Sequence, residues 1–180
     1  MSDNFNLCLG LLLQHEGGFV NDSRDNGGMT NLGVTIRTWE EWVGHPVSEK
    51  EMRNLTPLMV KQLYKRKYWD ACRADDLISG LDYAVFDVAV NSGVGRAIKL
   101  LQSCIGATPD GSYGSITSAL VKKVSSDPNR IIELYCAKRL EFLSSLKSFP
   151  VFGKGWSKRV SEVKATALEM SNYEKQQAVG

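Results

Sequence analysis

The stretch that most constrains the fold is LDYAVFDVAVNSGVGRAIKLLQSCIG, from Leu81 to Gly106. Its first half is apolar on almost every side, which a helix tolerates only when other elements surround it. Asn91-Ser92-Gly93 ends this buried helix, and a second one follows until Gly106 stops it. Other segments read as helices as well. Asp3 or Asn4 can cap a first helix from about Phe5 to His15, with Gly17-Gly18 as its stop. Ser48-Glu49-Lys50-Glu51 has the spacing of a capping box. Thr56-Pro57 sets a cap before a proline at the first helical position, and TPLMVKQLYKRKYW keeps helical periodicity. Asp127-Pro128 opens NRIIELYCAKRLEFLSSLK, and a last helix is expected from about Trp156 to Met170, with a frayed tail after Tyr173. Only LGVTI, Leu32 to Ile36, reads as a strand. The expectation is a mainly α fold with a short irregular or β-like flap after the first helix. A boundary near Gly93–Gly95 separates 1–93 from 94–180, and the connection is too short for the two parts to move freely, so they should pack as one compact unit.

Bulk properties narrow the function. No apolar run approaches the roughly 20 residues that cross a bilayer. The opening MSDNFNLCLGLLLQHEGG lacks a basic n-region and a small-residue cleavage site, so it reads as a folded helix, and synthesis in a cytoplasm is expected. The net charge of +2 is uneven. Residues 1–95 carry nine Lys and Arg against thirteen Asp and Glu, whereas residues 96–180 carry thirteen against seven. A basic second half suits an anionic partner, such as a wall polymer or an envelope surface, or it is simply a solvated helix face. Nucleic acid fits less well, because acids are interleaved with the bases. Cys8, Cys72, Cys104 and Cys136 form no C-x-x-C pair, which argues against zinc and for buried thiols. There is no HExxH, no phosphate-binding glycine loop and no recognisable nucleophile elbow. Neither a metal nor a cofactor is called for.

The polar chemistry concentrates in LLLQHEGGFVNDSRDNGGMTNLGVT, Leu11 to Thr35. Glu16 falls at the carboxyl end of the first helix, beside an apolar run. Both settings disfavour a charged carboxylate, which suits a general acid. Asp22 and Asp25 follow in a polar loop where a carboxylate stays ionised. One neutral acid beside one carboxylate is what glycoside hydrolysis uses, and the handiest analogy is a lysozyme. Thr30 or Thr35 can help hold a water. The plainer reading is that Glu-Gly-Gly stops a helix and Asp-Asn-Gly-Gly makes a turn. A calcium loop is disfavoured, because Asp22-x-x-Asp25 lacks the alternating oxygens.

HEGGFVNDSRDNGGMTNLGVT resembles the signature of glycoside hydrolase family 108, the muramidases of phage and prophage lysins. The family's E-G-G, D-x-G-G-x-T and G-[IV]-T are here Glu16-Gly17-Gly18, Asp25 to Thr30 and Gly33-Val34-Thr35. FDVAVNSGVGRAIKLLQ is similar to the family's central helix pair. DGSYGSITSAL resembles the turn of an accompanying peptidoglycan-binding region, and GWSKRV its Gly-Trp-x-x-Arg element. The resemblance spans about residues 5 to 172. It implies a lysozyme-like helical fold that hydrolyses the β-1,4 bond between N-acetylmuramic acid and N-acetylglucosamine, in an endolysin acting as a monomer. Glu16 would then be the proton donor, with Asp25 and Thr30 placing the water. Thr35, Asn91 and Trp156 would contact substrate. Without an export signal, reaching the wall would need a membrane lesion of the holin type. A lytic transglycosylase on the same fold, or a wall-binding protein without activity, are the alternatives. Sugar rings stack on aromatic faces, yet Trp39, Trp42, Trp69 and Trp156 suit a core equally well.

Overall fold

The computed structural model describes residues 4–21 and 28–179. They are mainly helical, as expected, with one small antiparallel sheet. The chain divides into a first unit, Met1–Lys67, and a second, Tyr68–Gly180. Residue 93, the expected boundary, falls inside the second unit, because the helices on either side of it pack together.

In the first unit, α1 (Asn4–His15) buries Phe5, Cys8, Leu9 and Leu12, a stripe at helical spacing. It packs on α4 (Pro57–Tyr64), which buries Val60, Leu63 and Tyr64. The end signals act as their chemistry demands. Thr56 accepts a hydrogen bond from the Met59 N–H ahead of Pro57. Ser48 and Glu51 close a capping box on α3 (Glu49–Arg53). Three short strands, β1 (Val20–Asn21), β2 (Met29–Asn31) and β3 (Val34–Thr35), pair antiparallel in that order. The strand expected over Leu32–Ile36 is therefore broken. Leu32 and Gly33 form a two-residue turn, and Ile36 already begins α2 (Ile36–Val43). Both turn residues have positive φ, 50° and 72°, as a tight hairpin matched to strand twist requires. Buried Asn31 anchors this hairpin by donating to the Met52 carbonyl (2.7 Å) near the end of α3.

In the second unit, α5 (Leu81–Ser92) is buried continuously from Leu81 to Ala89. It packs against α6 (Val94–Ile105), α8 (Pro128–Ser144) and α9 (Phe149–Val179), while α7 (Ser115–Val124) rests on α6. Gly80 precedes α5 because any β-carbon there would collide with the Ala167 carbonyl. Within this apolar surround, Asp87 is fully buried and takes two arginines, Arg139 Nη2 at 2.6 Å and Arg159 Nη2 at 2.8 Å. The last helix is longer than expected at both ends. Pro150 sits in its first turn, where a missing N–H is tolerated. The expected frayed tail after Tyr173 stays helical to Val179. Cys8, Cys72, Cys104 and Cys136 are thiols, three of them buried. No described helix is long and apolar enough to cross a membrane.

Candidate active site

Glu16 follows the last residue of α1 and is half-buried. Its carboxyl group lies against the turn between β2 and β3. A β-carbon built on Gly33 would stand 2.8 Å from Glu16 Oε2 and 2.7 Å from Tyr64 Oη. Two oxygens, one from the residue just after α1 and one from α4, thus converge on a single point that only glycine leaves empty. Gly33 is needed there twice over, for its positive φ and for that space. Tyr64 is 1% exposed, and its hydroxyl donates to the Leu32 carbonyl at 2.7 Å. That bond pins Leu32 in a left-handed conformation that leucine otherwise avoids. The tight turn, the tyrosine and the end of α1 together fix where the Glu16 carboxyl stands. A half-buried carboxyl held this way can deliver a proton without first reorganising.

Thr30 lies on β2, directly opposite Thr35 on β3 and Val20 on β1. Residues paired across a sheet share one face, so the two threonines stand side by side. The Thr35 hydroxyl serves the start of α2: it accepts from Thr38 N (3.2 Å) and donates to Thr38 Oγ1 (3.1 Å). Asp25 and Asp22 lie outside the described residues. Asn91, in the last turn of α5, donates its amide to the Asp87 carbonyl (2.7 Å). Trp156 is half-buried on α9 beside Phe149 and Phe152. Of the other tryptophans, Trp39 and Trp69 are core, and Trp69 donates to Asp75 Oδ1 at 2.7 Å. Tyr64 escaped the sequence reading, which saw only a helical stripe. Its one signal was an aromatic hydroxyl on the buried face of α4, where a partner is obligatory.

The turn Asp110-Gly111…Gly114…Thr117 has an internal explanation. Buried Gln102 donates to Asp110 Oδ1 (2.8 Å), the Ser112 carbonyl (3.0 Å) and Thr117 Oγ1 (3.2 Å), and accepts from Gly111 N (2.9 Å). The Ser112 N–H and then Gln102 hold the Asp110 carboxyl below its usual range. These polar groups are spent on closing the loop. A cavity of about 370 Å³ in the second unit, lined by Cys104, Lys123, Arg130 and Ile131 among others, contains none of the expected site residues. Among the described residues, no cluster of His, Cys, Asp or Glu could hold a metal.

The model of the family glycosyl hydrolase 108 matches residues 9–93 of this chain. That interval takes in Glu16, the hairpin, Tyr64 and α5. A solved structure titled "Structure of Brucella abortus SagA" superposes with a TM-score of 0.83 at 39% identity, covering 95% of this chain and 97% of that one. No curated protein sequence matches.

Proposed function

This chain belongs to glycosyl hydrolase family 108 and is a glycoside hydrolase, and from that premise we propose that it degrades peptidoglycan as an N-acetylmuramidase. The bond cut is the β-1,4 linkage from N-acetylmuramic acid to N-acetylglucosamine. Glu16 passes its proton to the glycosidic oxygen as the bond to C1 breaks. Asp25 takes a proton from a water that attacks C1 from the opposite face, and Thr30 helps hold that water. Both carboxyl groups return to their starting states after proton exchange with solvent. Direct attack by water inverts the anomeric centre, which goes with carboxyl groups about 6.5–9.5 Å apart.

The observation that carries this reading is the seat of Glu16, held against a glycine turn that a buried tyrosine clamps. Trp156 offers the glycan an aromatic face. Thr35 and Asn91 serve through what they hold in place, the start of α2 and the carbonyl of Asp87. The protein acts on the wall as a monomer, made in the bacterial cytoplasm and released through a membrane lesion of the holin type.

Purified peptidoglycan digested with wild type and with Glu16→Gln, followed by mass spectrometry of the new sugar ends, tests the assignment. Wild type should yield reducing N-acetylmuramic acid, and Glu16→Gln should release it at most about a hundredth as fast. Anhydro-muramic ends would replace hydrolysis with transglycosylation, and reducing N-acetylglucosamine would move the cut to the other linkage.

A further inference from the structure

The second unit holds a cavity that no part of the catalytic reading uses. It measures about 370 Å³ and lies where the ends of α6 and α7 meet the start of α8. That volume is at the lower end of small-molecule sites. Val124, Ile131 and Leu134 give it an apolar wall. Leu134 is 38% exposed, a large apolar side chain left in contact with solvent. The half-buried Cys104 belongs to the same wall, because burial pushes its thiol up to about 12 and leaves it uncharged near neutrality.

The charge in the cavity has one sign. Lys123 and Arg130 both line it, and neither has an ion-pair partner among the described residues. Helices α6 and α7 contain no acid at all. Asp127 reaches the cavity, but its carboxylate is committed to capping α8, where it accepts from the Arg130 N–H at 3.3 Å. Glu133 is the one acid of α8 before Glu141, and it falls about 100° round the helix from Leu134. Arg130 also sits in the first turn of α8, where the helix dipole disfavours a cation. Its place there does nothing for the helix and faces the cavity instead.

We infer that this cavity binds a single-chain anionic amphiphile, a carboxylate or phosphate monoester carrying an alkyl chain. Lys123 and Arg130 meet the anion, and Val124, Ile131, Leu134 and Cys104 flank the start of the chain. The guanidinium fork of Arg130 suits two oxygens of one carboxylate or phosphate. The alkyl chain gains by leaving water. An ion pair that faces solvent is weak, so the head group is held only together with its chain. The site shares no residue with the proposed catalytic centre, and its occupancy is read without turnover.

Two-dimensional NMR of the isotope-labelled full chain follows the backbone amides while decanoate is added below its micelle-forming concentration. Saturable shifts should gather at residue 104 and over residues 123–134. Decyl phosphate should move the same amides, whereas inorganic phosphate should bind at least about tenfold more weakly. Decyltrimethylammonium, with an equal chain and the opposite charge, should leave them in place. Joining Lys123→Gln to Arg130→Gln should weaken decanoate roughly tenfold, and Leu134→Gln roughly threefold. All three side chains are exposed, so the thermal midpoints of these variants should not fall. Shifts that are absent or scattered over the surface overturn the site. So does equal binding by the cationic amphiphile, or undiminished binding by the double variant. Anionic phospholipid vesicles distinguish the source of the ligand: vesicle binding that needs Lys123 and Arg130, without a response to free decanoate, overturns the cavity in favour of a membrane contact.

Discussion

Gly33→Ala separates the cost of a backbone conformation from the cost of a displaced catalytic group. At φ +72° an alanine pays for a left-handed conformation, about 1–2 kcal/mol. For a chain of this size that is a fall of roughly 2–8 °C in thermal midpoint. The new methyl would also arrive 2.8 Å from Glu16 Oε2, 3.0 Å from Glu16 Cδ and 2.7 Å from Tyr64 Oη, so at least one must move. Misplacing a reacting group by an ångström costs on the order of a hundredfold in rate. Gly44→Ala supplies the control. Gly44 has φ +81° at the end of α2, with nothing within 4 Å of its added β-carbon. Differential scanning fluorimetry and reducing-end release from purified sacculi read the two effects separately. Gly33→Ala should lose at least as much stability as Gly44→Ala, since it adds the clash to the strained φ, but only Gly33→Ala should lose activity. Full activity in Gly33→Ala, or an equal loss in Gly44→Ala, would refute the proposed seat of Glu16.

Three further outcomes follow from particular contacts. Tyr64→Phe leaves the Leu32 carbonyl without its donor, and urea unfolding should show a loss of about 1–3 kcal/mol together with reduced turnover. Asp87→Asn removes the charge between buried Arg139 and half-buried Arg159 and should cost about 3–5 kcal/mol, whereas an unchanged unfolding midpoint would mean the triad is not coupled to folding. Burial pushes the Cys72 thiol up to about 12 and the Cys136 thiol to about 11, from an ordinary 9.0. A raised thiol favours the folded state fully below about pH 9, and that contribution is lost as pH climbs through 9 toward 11–12. Thermal midpoints should therefore drop on the alkaline side, and Cys72 and Cys136 should resist a thiol reagent at pH 8 until the chain is unfolded; prompt labelling of both in the native protein would contradict their burial.

The parts of the fold governed by local chemistry were legible from the residues. Ser48 with Glu51, Thr56 with Pro57 and Asp127 with Pro128 each mark a helix start that the structure contains. The continuous burial of α5 could be read from its lack of a polar face. What escaped depends on contacts between residues far apart in sequence. LGVTI looks like one strand, because nothing local announces that Leu32 takes a positive φ; the bond from Tyr64, 32 residues later, pins it there. Gly153 and Gly155 argue against a helix by propensity, yet α9 runs through them. At Gly153 the ring of Phe149 occupies the room the glycine leaves. Glu16 itself was found from its motif and its place at a helix end. The oxygen facing it across Gly33 could be seen only in three dimensions.

The central claim is that the Glu16 carboxyl gives its proton to a linkage between sugars. Its most direct test is the initial rate of reducing-end release from purified peptidoglycan by wild type and by Glu16→Gln, with folding of the variant verified by circular dichroism. The amide has the shape of the acid but no proton to give, and the rate should fall by about a hundredfold to ten-thousandfold. A folded Glu16→Gln that releases new ends at the wild-type rate would contradict the account.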